Sequence, residues 1–199
     1  MRYVTLIQAD PQTVAADAVL VPAFQGQAPV GVAQAVDPET LAALGFEGKA
    51  GQVVRLATSG LEGEWAAPVL AVVGLGPVPA GAAGNAGAAG EAPEGDAAGP
   101  QPSTDALRIA AAVGVRALAG AGIAGLVFGF DQPEQVHAIA LGARLGAYQF
   151  TAYRQPDKLA PARLVLAVKE QRTKAQEDQI NRATSIAHAV RDARDLVNT

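Results

Sequence analysis

The chain contains no cysteine among its 199 residues, which excludes disulfides, thiolate metal sites and cysteine nucleophiles. It is also poor in aromatic residues, which make up 5% of the sequence, so Val, Leu, Ile and Ala must build the core, as in a buried parallel or mixed sheet. No apolar run approaches the roughly 20 residues needed to cross a bilayer. The N-terminus leads into a predicted strand rather than a signal peptide. We therefore expect a soluble, cytoplasmic protein without a membrane partner.

An excess of positive charge is missing as well. Fifteen basic and nineteen acidic residues give a net charge of -4, so no overall positive field attracts the chain to phosphate backbones or anionic lipid. Near the C-terminus a local basic stripe is interleaved with acids: Arg172, Lys174, Arg182, Arg191 and Arg194. The charge distribution therefore disfavours nucleic acid as a partner.

Short apolar segments rich in β-branched residues predict six strands. They cover residues 3–8, 17–21, 52–58, 68–74, 123–128 and 163–168. We expect Pro22 to close the second of them, because proline cannot donate to a sheet.

Helix signals lie between these strands and after the last. Asp37 and Ser103 are predicted N-caps, the second opening a helix whose buried face consists of Leu107, Ala111, Val115 and Leu118. A further helix is predicted over Pro133–Phe150. A long amphipathic one follows from Lys174 to about Val197, with its apolar face formed by Ile180, Ala183, Ile186, Ala187, Val190 and Ala193.

Strands that alternate with helices across short loops predict an α/β fold. The expected architecture has three layers: a mixed, mostly parallel sheet with helices on both faces. Residues 77–102 are almost entirely Gly, Ala, Pro and acids, a composition too poor in apolar bulk to offset the entropy of ordering. Because helical signals resume at Ser103, these residues predict a flexible surface insert rather than a domain boundary.

Gly74-Leu75-Gly76 follows a strand, as a phosphate-binding loop would. Pro77 comes next, however, and neither a dinucleotide fingerprint nor a P-loop lysine is present. An ordinary strand-exit turn is the favoured interpretation.

The remaining polar residues form no recognisable catalytic pattern. His137 and His188 lack companions at the spacing of a metal site, and the acids near the C-terminus alternate with bases, as on a solvated helix surface. The serines at 59, 103 and 185 lack a nucleophile-elbow context. We therefore assign no catalytic, cofactor-binding or metal-ligating residue to this chain.

Four stretches, taken in order, resemble the N-terminal domain of the leucyl aminopeptidase (cytosol aminopeptidase) family. Gly45–Gln52 is similar to its F-x-G-K-x-G loop, and Val72–Gly76 to its V-G-L-G strand exit. Leu141–Arg154 resembles the helix ending in G-x-x-L-G-x-Y-x-F-x-x-Y-K, with Arg154 in the lysine position. Ala189–Thr199 resembles the A-R-D-L-V-N-x-P junction. The similarity covers nearly the whole chain outside residues 77–102.

The resemblance implies a macro-domain-like domain over residues 1–172 and a linker helix over residues 173–199 that leads to a catalytic domain. In that family the catalytic domain holds two divalent metal ions (zinc, manganese or magnesium), and the hexameric enzyme releases N-terminal amino acids from peptides. All catalytic and metal-binding motifs of the family lie beyond the junction. We therefore expect this chain to be non-catalytic and to serve assembly, substrate access or regulation.

Two other functions stay open at this point. The implied fold is shared with modules that bind ADP-ribose, for which the loops after Gly74 and Phe128 would form the cradle at the carboxyl ends of the strands. The other is DNA binding by an accessory domain, which would depend on the basic stripe near the C-terminus.

Overall fold

The computed structural model describes residues 3–80, 100–149 and 157–198. Six strands form one sheet: β1 Tyr3–Gln8, β2 Ala18–Ala23, β3 Val53–Ala57, β4 Val69–Gly74, β5 Ile123–Val127 and β6 Arg163–Val168. Four α-helices accompany them: α1 Pro38–Ala43, α2 Thr104–Ala117, α3 Pro133–Gly146 and α4 Lys174–Asn198. Of the predicted insert, residues 81–99 lie outside the described residues.

The strand order is β1-β6-β5-β2-β4-β3. All neighbouring strands run parallel except β3 and β4, which pair antiparallel. This confirms the predicted mixed, mostly parallel sheet. The antiparallel strand arises because the loop from β3 to β4 is too short for a crossover connection.

The expectation that Pro22 closes β2 was wrong, since the strand continues through Pro22 to Ala23. The pairing of β2 with β5 ends at Leu20, and the Pro22 carbonyl instead accepts a hydrogen bond from Val30 N–H at 2.8 Å. In a parallel strand the N–H and C=O of one residue point to the same side. The N–H that proline lacks would therefore point to the side of Val30, where no neighbouring strand accepts a hydrogen bond from it.

The two faces of the sheet are covered unequally. On one face α3 packs between α2 and α4, and the buried side chains include Leu20, Leu126 and Phe128. The opposite face buries Val19 and Val21 under the short α1 and several loops. Alternate side chains of β2 thus point into the cores on the two faces of the sheet, which explains why all six of its residues are buried.

The predicted caps are confirmed. Ser103 Oγ accepts a hydrogen bond from Ala106 N–H at 3.1 Å and begins α2. Asp37 accepts one from Thr40 N–H at 2.6 Å and begins α1. The hydrogen bonds from Thr40 lower the pKa of Asp37. All four residues predicted for the buried face of α2 are buried.

The predicted end of α3 at Phe150 was wrong, because the helix ends at Gly146. Three residues later, Gln149 hydrogen-bonds to the segment before β6: its Oε1 accepts from Ala160 N–H at 2.9 Å, and its Nε2 donates to Lys158 O at 3.0 Å. These tertiary contacts outweigh the helical sequence pattern after Gly146.

The long final helix is confirmed, but its buried face is narrower than predicted. Ile180, Ala183 and Ala187 are buried against the rest of the domain, whereas Ile186 and Ala193 are exposed. Helix α4 lies on α3 along one stripe, which leaves the flanking apolar positions uncovered. No helix within the described ranges is long and apolar enough to cross a membrane.

Candidate functional site

The sheet has a topological switch beside β2. The chain leaves β2 toward α1 on one face, whereas it leaves β4 and β5 toward α2 and α3 on the other. In open α/β sheets, ligands bind in the crevices that such a switch creates at the carboxyl ends of the strands. A ligand would therefore be expected in the crevice between β2 and β4 or in the crevice between β2 and β5.

The crevice between β2 and β4 is filled by the loop that contains Gly48. Gly74 N–H donates to Gln52 O at 2.8 Å, and Gly76 N–H donates to Gly48 O at 2.9 Å. Leu75 N–H, between them, donates to Ala23 O at 2.9 Å. All three donors of the Gly74–Gly76 turn are thus used within the fold. The strand-exit interpretation is confirmed, and no anion cradle is open here.

The crevice between β2 and β5 is filled by Val30. Its N–H donates to Pro22 O, and its Cγ1 lies 2.7 Å from the point that a β-carbon on Gly129 would occupy. Nearby, the Asp131 carboxylate accepts hydrogen bonds from Lys169 N–H at 2.9 Å and Glu170 N–H at 3.4 Å. A phosphate-bearing ligand would meet both a steric block and a carboxylate at the loop after Phe128.

Among the described residues, two open depressions lie near this edge. One, of about 360 Å³, lies between the exit of β2 and α1 and is lined partly by Phe24, Phe46 and Glu47. Glu47 already pairs with Lys49 at 2.6 Å. The other, of about 250 Å³, lies at the start of α3 beside Asp131. Neither depression gathers the convergent polar groups of a catalytic site.

Both histidines join α3 to α4. His137 Nδ1 lies 3.2 Å from Gln179 O, and His188 Nε2 lies 2.6 Å from Arg144 Nη2. Burial, and to a lesser degree the charge of Arg191, lowers the pKa of Arg144. In the part of the chain that the structure describes, no three His, Asp or Glu side chains are grouped so that they could hold a metal ion.

Most basic residues of the predicted stripe form a hydrogen bond or an ion pair with another residue of the chain. Arg172 donates to Leu6 O at the free edge of β1, at 3.2 Å. Lys174 pairs with Asp178 at 3.1 Å, and Arg191 pairs with Asp192 at 2.7 Å. The hydrogen bonds that Arg191 donates to the Asp192 carboxylate raise the pKa of Arg191. Two of the five basic residues are thus paired with acids of the same helix, which disfavours DNA binding.

One polar cluster was missed by sequence reasoning. Tyr148 OH donates to Asp195 Oδ1 at 2.6 Å, and Arg194 Cζ lies 5.5 Å from the centre of the Tyr148 ring. Tyr148 and Asp195 belong to the two most specific family motifs, Leu141–Arg154 and Ala189–Thr199. The presence of both motifs could have indicated that they interact. The contact itself could not be predicted, because nothing in the sequence sets the register between α3 and α4.

This cluster predicts a measurable titration. The hydrogen bond to Asp195, and secondarily burial, raises the pKa of Tyr148, while Asn198 and Arg194 oppose the shift. The contact therefore stabilises the fold below the pKa of an ordinary tyrosine, about 10, and this contribution is lost as the pH rises through the raised value. We expect Asp195→Asn to lower the pKa of Tyr148.

The measurement is the absorbance of the phenolate in a chain that carries Tyr3→Phe and Tyr153→Phe, so that Tyr148 is the one remaining tyrosine. The matched control is Asp192→Asn, which removes the same charge three residues away. An unchanged or higher Tyr148 pKa in Asp195→Asn would show that the contact is absent in solution.

Comparison with known proteins agrees with this architecture. The model of the cytosol aminopeptidase family, N-terminal domain, matches residues 20–157. A probable cytosol aminopeptidase of Streptomyces griseus is 35% identical over 225 aligned residues, covering 100% of this chain and 40% of that protein. One of Streptomyces coelicolor is 34% identical with the same coverage. The chain thus spans about 40% of the length of these relatives.

Solved structures show the same fold within longer chains. The bottromycin maturation enzyme BotP in complex with Mn superposes with a TM-score of 0.62 at 27% identity, over 93% of this chain and 32% of that one. A mutant of tomato leucine aminopeptidase superposes with a TM-score of 0.65 at 16% identity, over 100% of this chain and 38% of that one. The family match and the two Streptomyces relatives show that this chain belongs to the cytosol aminopeptidase family and is its N-terminal domain.

Proposed function

We propose that this chain is the non-catalytic N-terminal domain of a metal-dependent, leucyl-aminopeptidase-type peptidase that releases N-terminal amino acids from peptides in the cytoplasm. The observation that carries the proposal is the match of the entire chain to relatives named as probable aminopeptidases, of which it spans about 40%, together with the match of residues 20–157 to the family's N-terminal domain. The domain would serve assembly of a hexamer, access of the substrate or regulation. Its partner would be the catalytic domain of the same polypeptide.

The donor set of the described residues does not fit a catalytic metal centre. No three acidic or histidine side chains converge within residues 3–80, 100–149 and 157–198, and both histidines are committed to contacts between α3 and α4. A pair of divalent ions (zinc, manganese or magnesium) would therefore be held by the catalytic domain. On this proposal, the residues that hydrolyse the peptide would belong to that catalytic domain.

The proposed organisation keeps residues 1–172 as the domain, with an insert at residues 77–102, and residues 173–199 as the linker helix. Ile180 and Ala183 on α4 belong to the same buried cluster as the residues of α2 and α3. The first half of α4 is thus anchored in the domain core. Its second half would carry the chain toward the catalytic domain.

The hydrolysis of leucine p-nitroanilide tests the non-catalytic assignment. We expect the purified chain to show no release of p-nitroaniline above buffer, with manganese or zinc present, since its described residues group no three side chains that could hold a metal ion. Tomato leucine aminopeptidase in the same buffer is the positive control. Metal-dependent turnover by this chain, abolished by a chelator, would contradict the assignment.

The ADP-ribose alternative is tested by calorimetry. Val30 fills one crevice beside β2, and the loop containing Gly48 fills the other, so we expect no heat of binding when ADP-ribose is titrated into the chain. Titration of buffer is the blank, and a known ADP-ribose-binding domain is the positive control. Saturable binding would mean that one of these segments moves out of its crevice.

A further inference from the structure

The last three turns of α4 extend past the buried part of the helix. Its last buried residue is Ala187, and every residue from His188 to Asn198 is exposed or only partly buried. Leu196 and Val197 are 79% and 85% exposed. Packing against the core therefore does not explain why the helix remains ordered to Asn198.

The charges of the final turn do not explain it either. A helix C-terminus carries a partial negative charge, which favours basic side chains and disfavours acids. Helix α4 has no basic residue in its last turn, and Asp195 lies three residues before its end. This carboxylate is unfavourable for the isolated helix, so a contact outside the helix must offset it.

Tyr148 supplies that contact. Its hydroxyl donates to Asp195 at 2.6 Å. The Arg194 guanidinium lies over its ring at 5.5 Å, within the range of a cation–π interaction. A single side chain, two residues beyond the end of α3, thus contacts two of the last five residues of α4.

We propose that Tyr148, Arg194 and Asp195 form a latch that holds the end of α4 against the end of α3 and so sets the direction in which the chain leaves the domain. Tyr148 is a positioning residue, since it acts through the helix and contacts no substrate. The role of that direction, namely to place the catalytic domain, rests on the proposed function. The latch itself is tested in this chain alone.

Amide hydrogen exchange tests whether the latch orders the helix end. Tyr148→Phe keeps the ring and removes the hydroxyl, and we expect exchange of the amides of residues 195–198 to accelerate about fivefold, as for the loss of one side-chain hydrogen bond. The amides of α2 should not change. Asp192→Asn is the matched control, since its carboxylate pairs with Arg191 of the same helix and should leave these amides within twofold of the wild type.

A distance measurement tests whether the latch also sets direction. Because the chain has no cysteine, Asp105→Cys on α2 and Val197→Cys on α4 give two exposed sites for spin labels. We expect a narrow distribution of distances that Tyr148→Phe broadens, while Asp192→Asn leaves it unchanged. A role in stability alone would lower the melting temperature without broadening the distribution.

The latch is overturned if Tyr148→Phe leaves both the exchange of residues 195–198 and the width of the distribution equal to those of Asp192→Asn. The proposed function fails on a different result, namely metal-dependent peptide hydrolysis by this chain. The two failures are therefore distinguishable.

Discussion

Gly142→Ala is expected to lower the free energy of unfolding by about 2 kcal/mol, although alanine is the better helix former. A β-carbon at Gly142 would lie closer than 3.0 Å to the O, C and Cα atoms of Arg108 on α2. Since backbone cannot rotate away, α3 must shift, at a cost of about 3 kcal/mol for overpacking. The gain in helix propensity offsets about 1 kcal/mol of this cost.

Urea denaturation, or a fall in the melting temperature of about 4–8 °C for a chain of this size, measures this effect. The control is Gly60→Ala, where no atom lies within 4 Å of the added β-carbon. That control should be neutral or slightly stabilising. If the two variants have equal stability, α3 does not approach α2 as closely as the structure shows.

Gly74→Ala is expected to cost about 3 kcal/mol, because it displaces the loop that fills the crevice between β2 and β4. Its β-carbon would overlap the carbonyl of Lys49 and lie 2.7 Å from the C and O atoms of Gly48. The overlap costs about 2 kcal/mol, and loss of the hydrogen bond from Gly76 N–H to Gly48 O adds about 1 kcal/mol. No gain in helix propensity offsets these terms.

Two measurements on Gly74→Ala separate a local from a global effect. Urea denaturation gives the free energy of unfolding, again relative to Gly60→Ala. Hydrogen exchange should accelerate most at the amides of Gly51 and Gly76, which donate to Gly74 O and Gly48 O. A stable variant with unchanged exchange at both amides would show that the loop does not occupy the crevice.

The sequence predicted those features that depend on local pattern. β1 and β6 begin and end at the predicted residues, and Asp37 and Ser103 cap their helices as expected. These features follow from side-chain periodicity and from hydrogen bonds between residues three apart. The mixed sheet followed from the spacing of its elements.

Features that depend on tertiary approach were not predictable in this way. Pro22 continues β2 because Val30, rather than a strand, occupies its open side. The contact between Tyr148 and Asp195 joins residues 47 positions apart, and helical periodicity gives the faces of two helices but not the register between them. The filled crevices likewise depend on loops folding back on strand ends, for which a single sequence carries no periodic signal.

The proposal that this chain is the non-catalytic first domain of a peptidase can be tested by comparing the chain with the full product of its gene. We would measure the rate of manganese-dependent hydrolysis of leucine p-nitroanilide by that full product, beside this chain at equal concentration. We expect turnover by the full product and none by this chain. A stop codon directly after Thr199, or equal turnover by both proteins, would contradict the proposal.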